Sequence, residues 1–272
     1  MTEHHSGVEA AGGVLCLRTL IANVCLLGEA GSGSWVLVDA GVAGTGGQIL
    51  AAAEERFGEG RAPEALILTH GHFDHVGAIQ VLLERWEAAP VYAHPAEMPY
   101  LTGQADYAPP DPSVGGGLMS LLSPLYPRSG IDLGERVHPL PEDGSVPGAP
   151  GWRWIHTPGH TPGHISLFRE ADRVLVAGDA ITTVKQESAL AVLAQEKEVH
   201  GPPSYFTTDW LAARASVEAL DALRPAVVVT GHGMPMGGEQ LRRELDELTA
   251  HFDTLAVPEQ GRYVPDSMQQ HD

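Results

Sequence analysis

The sequence predicts an α/β protein with two strand-rich halves, and three observations lead to this prediction. Short apolar runs bounded by turn residues fill much of the first hundred residues. A second set of short strands begins near residue 152, after a stretch rich in proline and glycine. Both halves run from strands into helices with apolar residues at helical spacing. This order indicates a four-layer αββα sandwich of two mixed sheets, although an ordinary α/β sheet fits the same pattern.

The first half is predicted to begin with antiparallel strands and to continue as alternating helices and strands. Its strands are the apolar runs GVLCLRTL, IANVCLLG and WVLVDAG, with the turn EAGSGS before the third. A helix follows at QILAAAEERF, then a buried strand at EALILT, a second helix at AIQVLLERWE and a further buried strand at APVYAH.

The second half is predicted to have the same organisation. Three short strands, WRWIHT, ISLFRE and RVLVAGD, precede a helix at DWLAARASVEALDAL, which places Trp210, Ala213, Val217 and Leu220 on one face. The strand PAVVVTGHG and the amphipathic helix GEQLRRELDELTAHF complete the pattern.

The boundaries between these parts predict a single domain over residues 1–257. Residues from about 95 to 150 hold much of the proline and glycine, which indicates a connecting or lid region with one short helix at LMSLLSPLY. A polar insertion at about 182–209 is expected on the substrate side. Residues 258–272 form a polar tail that we expect to be frayed.

Composition excludes several classes of function. The formal net charge of -19 repels phosphate backbones and anionic membrane surfaces, so neither a nucleic acid nor a membrane is expected as a partner. The start of the chain lacks a basic segment followed by an apolar run, and no apolar segment is long enough to span a membrane, which favours a cytoplasmic protein. Cys16 and Cys25 stand in apolar stretches and are expected to be buried thiols.

The stretch THGHFDHVG concentrates metal-binding side chains in one turn: His70, His72, Asp74 and His75. In an extended chain, side chains two apart share a side, so His75 joins the others only if the chain turns. Four ligands on one ion would be strained. The easier arrangement gives His70 and His72 to one ion and Asp74 and His75 to a neighbour, with a helix beginning near Val76.

Each pair of ligands then needs partners from elsewhere in the chain. Three candidates stand where apolar strands end: His160 in TPGHTPGH, Asp179 in VLVAGD and His232 in VVVTGHG. Strand ends on a rigid scaffold are where functional side chains are commonly presented. Glycine and proline flank these positions, which allows close approach of the backbone and stiffens the loops.

These motifs resemble those of the metallo-β-lactamase superfamily. HGHFDH is similar to its H-x-H-x-D-H signature, and TPGH, the GD after a strand and the late GH follow in the family's order, from about Asp39 to Met234. The resemblance implies an αββα sandwich and a metal-dependent hydrolase. It assigns seven residues to two metal ions: His70, His72 and His160 to the first, Asp74, His75 and His232 to the second, and Asp179 as a bridge between them.

The implied chemistry is hydrolysis without a protein nucleophile. Two divalent ions about 3.5–4 Å apart can share a water and lower its pKa from about 15.7 to roughly 7, which makes hydroxide available at neutral pH. The family suggests that Asp74 orients this water or passes a proton to the leaving group. Zinc is the first expectation for both ions, and Mn²⁺, Fe²⁺ or Ni²⁺ also suit this ligand set.

Other residues near the motifs have less specific interpretations. His164 is expected to support the ligands or to pack beside them rather than bind metal. Asp39 suits either a supporting role near the metals or a helix-entry cap. His200 and Tyr205 lie in the insertion, where a substrate could reach them. The glycine-rich GVAGTGG lacks the Lys-Ser/Thr of a phosphate loop and is interpreted as a turn into a helix.

The leading hypothesis for the reaction is attack on the carbonyl of a small ester, thioester or lactone. β-Lactam hydrolysis is less favoured, because Asp179 stands where the β-lactamases place a cysteine. The basic C-terminal residues with which hydroxyacylglutathione hydrolases grip glutathione have no clear counterpart. Thr182 stands where acyl-homoserine-lactone lactonases have a tyrosine, so no single substrate is indicated.

Two alternatives come from other classes of enzyme. A redox enzyme like the mononuclear-iron persulfide dioxygenases would share the HxHxDH motif, but the complete second ligand set and the absence of a GRTDF-like segment weigh against it. A phosphodiesterase would suit the metal site alone, whereas the charge balance and the missing nuclease motifs oppose it. The sequence leaves open whether the chain forms a homodimer.

Overall fold

Twelve strands form two mixed sheets in the computed structural model, which describes residues 7–188, 190, 195 and 197–268. The first sheet holds its strands in sequence order: β1 (Val8–Ala11), β2 (Val14–Thr19), β3 (Ala22–Leu27), β4 (Val36–Val38), β5 (Ala65–Ile67), β6 (Val91–Ala93) and β7 (Val137–Pro139). The second sheet has the order β12-β11-β10-β9-β8, with β8 (Trp152–His156), β9 (Ile165–Arg169), β10 (Val174–Gly178), β11 (Val227–Thr230) and β12 (Met236–Gly237). In the first sheet, β1 to β4 pair antiparallel and β4 to β7 pair parallel. In the second, only β10 and β11 are parallel.

Eight α-helices accompany these strands within the described residues. They are α1 (Gly46–Phe57), α2 (Phe73–Val76), α3 (Ile79–Arg85), α4 (Met98–Leu101), α5 (Leu118–Leu122), α6 (Trp210–Ala222), α7 (Gly238–Ala250) and α8 (Phe252–Leu255). The predicted apolar face of α6 is confirmed, because its four named residues are all buried. None of the helices in the described part of the chain is long and apolar enough to cross a membrane.

Alternation along the strands produces the predicted four layers. In β5, Leu66 packs with the cluster beneath α1 and α3, whereas Ala65 and Ile67 face the second sheet. In β10, Val176 faces the first sheet, and Leu175 packs with the cluster beneath α6 and α7. Both sides of each sheet are therefore apolar, and each fully buried aliphatic side chain contributes about 1.5–3 kcal/mol of transfer free energy.

Cys16 and Cys25 are free, buried thiols, as expected from the sequence. They lie opposite each other on β2 and β3, in the layer between the two sheets. Burial raises the pKa of Cys16 to about 12 and that of Cys25 well above its ordinary value. Both side chains act as small apolar groups of the core.

Three local features differ from the expectations. Strands β1 and β7 have only four and three residues, and β7 includes Pro139, so neither gives a clear periodic signal. Strand β7 shows that part of the 95–150 region belongs to the first sheet. The helix after the metal motif begins at Phe73 rather than near Val76.

The C-terminal segment also requires a correction. Val264 and Met268 are buried against the cluster beneath α6 and α7. The backbone N–H of Arg262 donates to Asp111 Oδ2 at 2.5 Å, which joins this segment to the 95–150 region. The expected frayed tail is therefore wrong for residues 258–268, while residues 269–272 lie outside the described part. Residues 189, 191–194 and 196 of the predicted insertion also lie outside the described part.

Candidate metal centre

The seven predicted ligands meet at one end of the two sheets. They come from the turn between β5 and α2, from α2, from the loop between β8 and β9, and from the ends of β10 and β11. All seven are buried, and Asp74 is the most exposed of them at 7%. Their ligand atoms form three groups, within each of which all atoms lie within 4.8 Å of one another: His70, His72 and His160; His70, His75 and Asp179; and Asp74, His75 and His232.

Asp179 lies between the two sets of histidines. Its Oδ2 is 3.4 Å from His160 Nε2 and 3.9 Å from His70 Nε2, which belong to the first predicted set. The same oxygen is 3.5 Å from His75 Nε2 and 3.2 Å from His232 Nε2, which belong to the second. One carboxylate oxygen thus faces both sets.

A change of backbone conformation resolves the crowding of the HGHFDH stretch. His72 has extended dihedral angles, φ −65° and ψ 152°, and is the N-cap of α2. Asp74 and His75 lie inside this short helix, so they point in other directions than an extended chain would give them. His72 Nδ1 lies 3.0 Å from His160 Nε2, whereas Asp74 Oδ2 lies 3.5 Å from His232 Nε2. His72 therefore lies beside His160, and Asp74 lies beside His232.

The Nδ1 atoms of two histidines are held by Asp39, directly or through Thr69. His75 Nδ1 lies 2.8 Å from Asp39 Oδ2. The Thr69 hydroxyl donates to that same oxygen at 2.8 Å, and His70 Nδ1 lies 3.1 Å from the hydroxyl oxygen. Because the hydroxyl proton goes to Asp39, the Thr69 oxygen accepts from His70 Nδ1. Both imidazoles then present Nε2 to the centre, as buried metal-binding histidines do.

The other two Nε2 ligands are held in the same manner. His232 Nδ1 donates to the carbonyl oxygen of Ile21 at 2.8 Å, and His160 Nδ1 lies 3.4 Å from Thr207 Oγ1. The side chain of Asn23 fixes the loop that carries His232 by donating to the carbonyl oxygens of Thr230 and Gly233. Nothing local in the sequence indicates this role for Asn23, since its partners lie more than two hundred positions away.

The donor set fits metal ions. His70 Nε2, His75 Nε2 and Asp179 Oδ1 are buried and have no hydrogen-bond partner among the described residues, an arrangement that is costly unless a cation binds them. Two ligand atoms on one tetrahedral Zn²⁺ lie about 3.4 Å apart, close to several of the separations above. An added Cβ at Gly231 would lie 1.9 Å from Asp179 Oδ1, so only glycine allows this carboxylate its place.

The electrostatics separates the two sets of histidines. Burial lowers the pKa of His70 and His72 well below the ordinary value and that of His160 to about 4, so these rings are neutral at neutral pH, as metal ligands must be. Burial is the largest single influence on the pKa of His75 and His232 and acts to lower it, but Asp179 and other nearby carboxylates together outweigh burial, and both pKa values are raised. These carboxylates favour a cation at the same place.

The same contacts determine the pKa of the Asp179 carboxyl group. Burial acts to raise its pKa, but His232 and His75 together hold it well below the ordinary value. The carboxylate is therefore ionised at neutral pH and can bind cations through both oxygens.

Two other predicted residues have structural roles near the centre. His164 Nε2 accepts a hydrogen bond of 2.8 Å from the backbone N–H of Asp179, so this nitrogen is engaged by the protein. Asp39 contacts two residues of the metal motif segment and does not cap a helix. His200 Nε2 lies 3.2 Å from Glu198 Oε2. Tyr205 packs against Tyr126 and Phe206.

Aromatic side chains border the first set of predicted ligands, and the sequence indicated only some of them. The His72 ring contacts Tyr107 and Phe206, with centroid distances of 4.5 and 4.7 Å. Beyond them, Tyr126 lies 6.2 Å from Phe206 and 6.1 Å from Tyr205. We call Phe73, Met119, Tyr126, Tyr205 and Phe206 the aromatic wall. It gives the site an apolar side next to Asp74 and His72.

A family model described as the metallo-beta-lactamase superfamily matches residues 17–232, most of the chain. A probable metallo-hydrolase of Bacillus subtilis, YflN, is 52% identical over 251 residues, covering 92% of this chain and 95% of its own. A hydroxyacylglutathione hydrolase of Xylella fastidiosa is 31% identical over 129 residues, which cover 47% of this chain and 36% of its own.

Solved structures show the same fold. The protein TTHA1623, crystallised in a di-iron-bound form, is 26% identical with a TM-score of 0.56, covering 85% of this chain and 97% of its own. The Rm3 metallo-beta-lactamase has a TM-score of 0.62 at 18% identity, covering 92% and 93%. The predicted αββα sandwich is confirmed by these matches, and the chain belongs to the metallo-β-lactamase superfamily, as a metal-dependent hydrolase.

Proposed function

We propose that the chain holds two divalent metal ions and hydrolyses the carbonyl bond of a small ester, thioester or lactone. The position of Asp179 carries this proposal, because its Oδ2 lies within 3.9 Å of histidine nitrogens from both ligand sets. In it, His70, His72 and His160 bind the first ion, Asp74, His75 and His232 bind the second, and Asp179 bridges them. Two ions in such a site supply a nucleophilic water of lowered pKa and polarise the substrate's carbonyl oxygen.

The chain's own residues orient the reaction. Asp74 is the least buried of the seven proposed ligands. It stands at the rim of the centre, next to Phe73 of the aromatic wall. Its carboxylate is the group that accepts a proton from the attacking water and passes it to the leaving group. Asp39 and Thr69 keep His75 and His70 in the orientation that the ions need.

The surroundings of the centre support a small, partly apolar substrate. The aromatic wall suits an acyl or ring carbon skeleton, and the net charge of -19 disfavours nucleic acids. The relative from Xylella fastidiosa bears the name of an acylglutathione as its substrate, which supports carbonyl chemistry. Because all seven ligands are nitrogen and oxygen donors, we infer zinc first, and the di-iron form of TTHA1623 supports iron as an alternative.

Metal analysis combined with a substrate panel tests the proposal. Protein loaded separately with Zn²⁺, Mn²⁺, Fe²⁺ or Ni²⁺ is assayed for ions per chain and for hydrolysis of lactones, thioesters, β-lactams and phosphodiesters. We expect two ions per chain and turnover confined to lactones and thioesters, with Asp74→Ala inactive. One iron per chain with oxygen uptake on persulfides would overturn the proposal in favour of a dioxygenase, and turnover of phosphodiesters alone would assign a different reaction.

A further inference from the structure

Glu97 is a fully buried carboxylate close to the metal centre. It ends the 3-10 turn Pro95–Glu97 that follows β6, at the start of the 95–150 region, and its relative exposure is 0%. An ionised carboxylate in such a place is costly unless several donors surround it. Sequence patterns give no indication of this residue, because its contacts come from positions 10 to 66 residues away.

Each oxygen of Glu97 binds a different part of the site. Oε1 accepts from the Thr161 hydroxyl at 2.6 Å and from the Gly163 backbone N–H at 2.9 Å. Oε2 accepts from the Gly71 backbone N–H at 3.2 Å and from the Tyr107 hydroxyl. The Gly71 N–H also lies 2.9 Å from the Tyr107 oxygen, so these three groups form one small network.

These partners are neighbours of the first predicted ligand set. Gly71 stands between His70 and His72, and Thr161 directly follows His160. The two segments are distant in sequence, and Glu97 joins them through opposite oxygens. We propose that Glu97 is the positioning residue of the first metal ion, which sets the distance between the turn of His70 and His72 and the loop of His160. This inference rests on the ligand roles given under the proposed function.

Close packing at Gly163 supports this role independently. A Cβ at this position would lie 2.6 Å from the Glu97 backbone nitrogen and 2.8 Å from Glu97 Cγ. Any side chain there would force the loop of His160 away from the carboxylate. The chain therefore has glycine at the place where the loop must approach Glu97 most closely.

All four partners of Glu97 donate hydrogen bonds to it. An ionised carboxylate can accept all four, whereas an amide has only one accepting oxygen. A glutamine at position 97 would present its NH₂ group to one of the two backbone N–H groups, either Gly163 or Gly71, and that hydrogen bond would be lost. One ligand segment would then lose its hydrogen bond to residue 97, and the Gly71 N–H, where it is the group affected, would keep only the Tyr107 oxygen, although the volume of the side chain is unchanged. Outer partners of metal ligands typically contribute about 10–100-fold in metal affinity.

The test compares Glu97→Gln with Asp111→Asn as a matched control. Asp111 is also a buried carboxylate of the 95–150 region, and it accepts from Ser113 and from the Arg262 backbone N–H. Among the described residues its carboxylate bonds to Ser113 and Arg262 and to no ligand segment, so its replacement should affect stability alone. Zinc affinities are measured by competition with a chelator, alongside thermal unfolding and circular dichroism. We expect Glu97→Gln to lower the affinity for one zinc ion by about 10–100-fold and to leave the affinity for the other unchanged.

Ligand variants identify which ion is affected. In the His232→Ala background the first ion is retained, and Glu97→Gln should weaken it. In the His160→Ala background the first site is disrupted, and Glu97→Gln should not change the affinity of the remaining ion. Thr161→Val removes one donor to Oε1 and should give a smaller loss at the first ion, which keeps the test valid if Glu97→Gln does not fold.

The outcomes separate this inference from the proposed function. Unchanged zinc affinity in both Glu97→Gln and Thr161→Val would overturn the positioning role. An equal loss of affinity for both ions in Glu97→Gln, with the same loss in Asp111→Asn, would also overturn it. Such a result would reflect only a general loss of stability. If the wild type bound a single ion that Glu97→Gln still weakened, the dinuclear centre would be wrong and the positioning role would stand.

Discussion

His164 holds the backbone of Asp179 through its imidazole. Nε2 of His164 accepts from the Asp179 N–H at 2.8 Å, and Nδ1 lies 3.1 Å from the carbonyl oxygen of Thr157, to which it donates. Burial lowers the pKa of His164 to about 3, so the ring is neutral and Nε2 is free to accept at neutral pH. The second histidine of TPGHTPGH thus orients the carboxylate between the two ligand sets.

In the proposed two-ion centre, replacing His164 should therefore affect the binding of both ions. In His164→Ala the buried N–H of Asp179 loses its acceptor, which costs about 1–3 kcal/mol of unfolding free energy in addition to the cavity. His164→Gln can place an amide oxygen near the Nε2 position and should retain more stability. Urea unfolding and zinc titration of both variants measure these effects. Full affinity for both ions in His164→Ala would show that Asp179 does not need this support.

Asp39→Asn should weaken the ion held by His75 more than the other ion. The carboxylate accepts from His75 Nδ1 directly and reaches His70 only through the Thr69 hydroxyl. Loss of such a partner typically lowers metal affinity by about 10–100-fold. Chelator competition measures the change, and Glu54→Gln, at a surface ion pair with Arg85, is the control for a charge loss alone. Equal affinities in Asp39→Asn and Glu54→Gln would contradict this role.

Removal of metal should lower the thermal stability of the chain. One buried atom each of His70, His75 and Asp179 has no hydrogen-bond partner in the described part of the chain, so cation binding would satisfy groups that are otherwise costly to bury. A ligand at 100 times its dissociation constant stabilises the native state by about 2.7 kcal/mol per site. Calorimetry with rising zinc after chelator treatment should show a rising melting temperature. A melting temperature independent of zinc would indicate that these residues do not bind it.

The sequence could predict which side chains would meet, because they stand in short motifs at strand ends. His70, His72, Asp74 and His75 fall within six positions, and each remaining ligand follows an apolar run that ends in glycine-containing loops. Alternation of buried residues in β5 and β10 likewise follows from the strand period, so the layers were predictable.

The supporting contacts could not be predicted in this way. Glu97 and Asn23 act through backbone groups far along the chain, and neither stands in a recognisable pattern. The aromatic wall joins Phe73 to residues of two other segments, and only folding brings these side chains together. Short edge strands such as β7, with three residues, bury too little to leave a periodic signal.

His94 should make stability depend on pH below neutrality. Its ring stacks on His156 with a centroid distance of 4.0 Å, and its Nδ1 accepts from the Ala96 N–H. Burial, with the neighbouring His156 ring, lowers the pKa of His94 from 6.5 to about 4. Between these values the unfolded chain binds more protons than the native chain, so stability is lost as the pH falls through this window.

His94→Asn isolates this contribution, because asparagine retains an acceptor for the Ala96 N–H but does not titrate. We expect the unfolding free energy of the wild type to fall more steeply than that of His94→Asn between pH 6.5 and pH 4. Urea unfolding across this range measures both slopes, and the difference near pH 7 serves as the reference for packing changes. Subtracting the difference near pH 7 removes the constant effect of the lost ring on packing. Parallel curves of unfolding free energy against pH would then mean that His94 protonates equally in the native and unfolded chains.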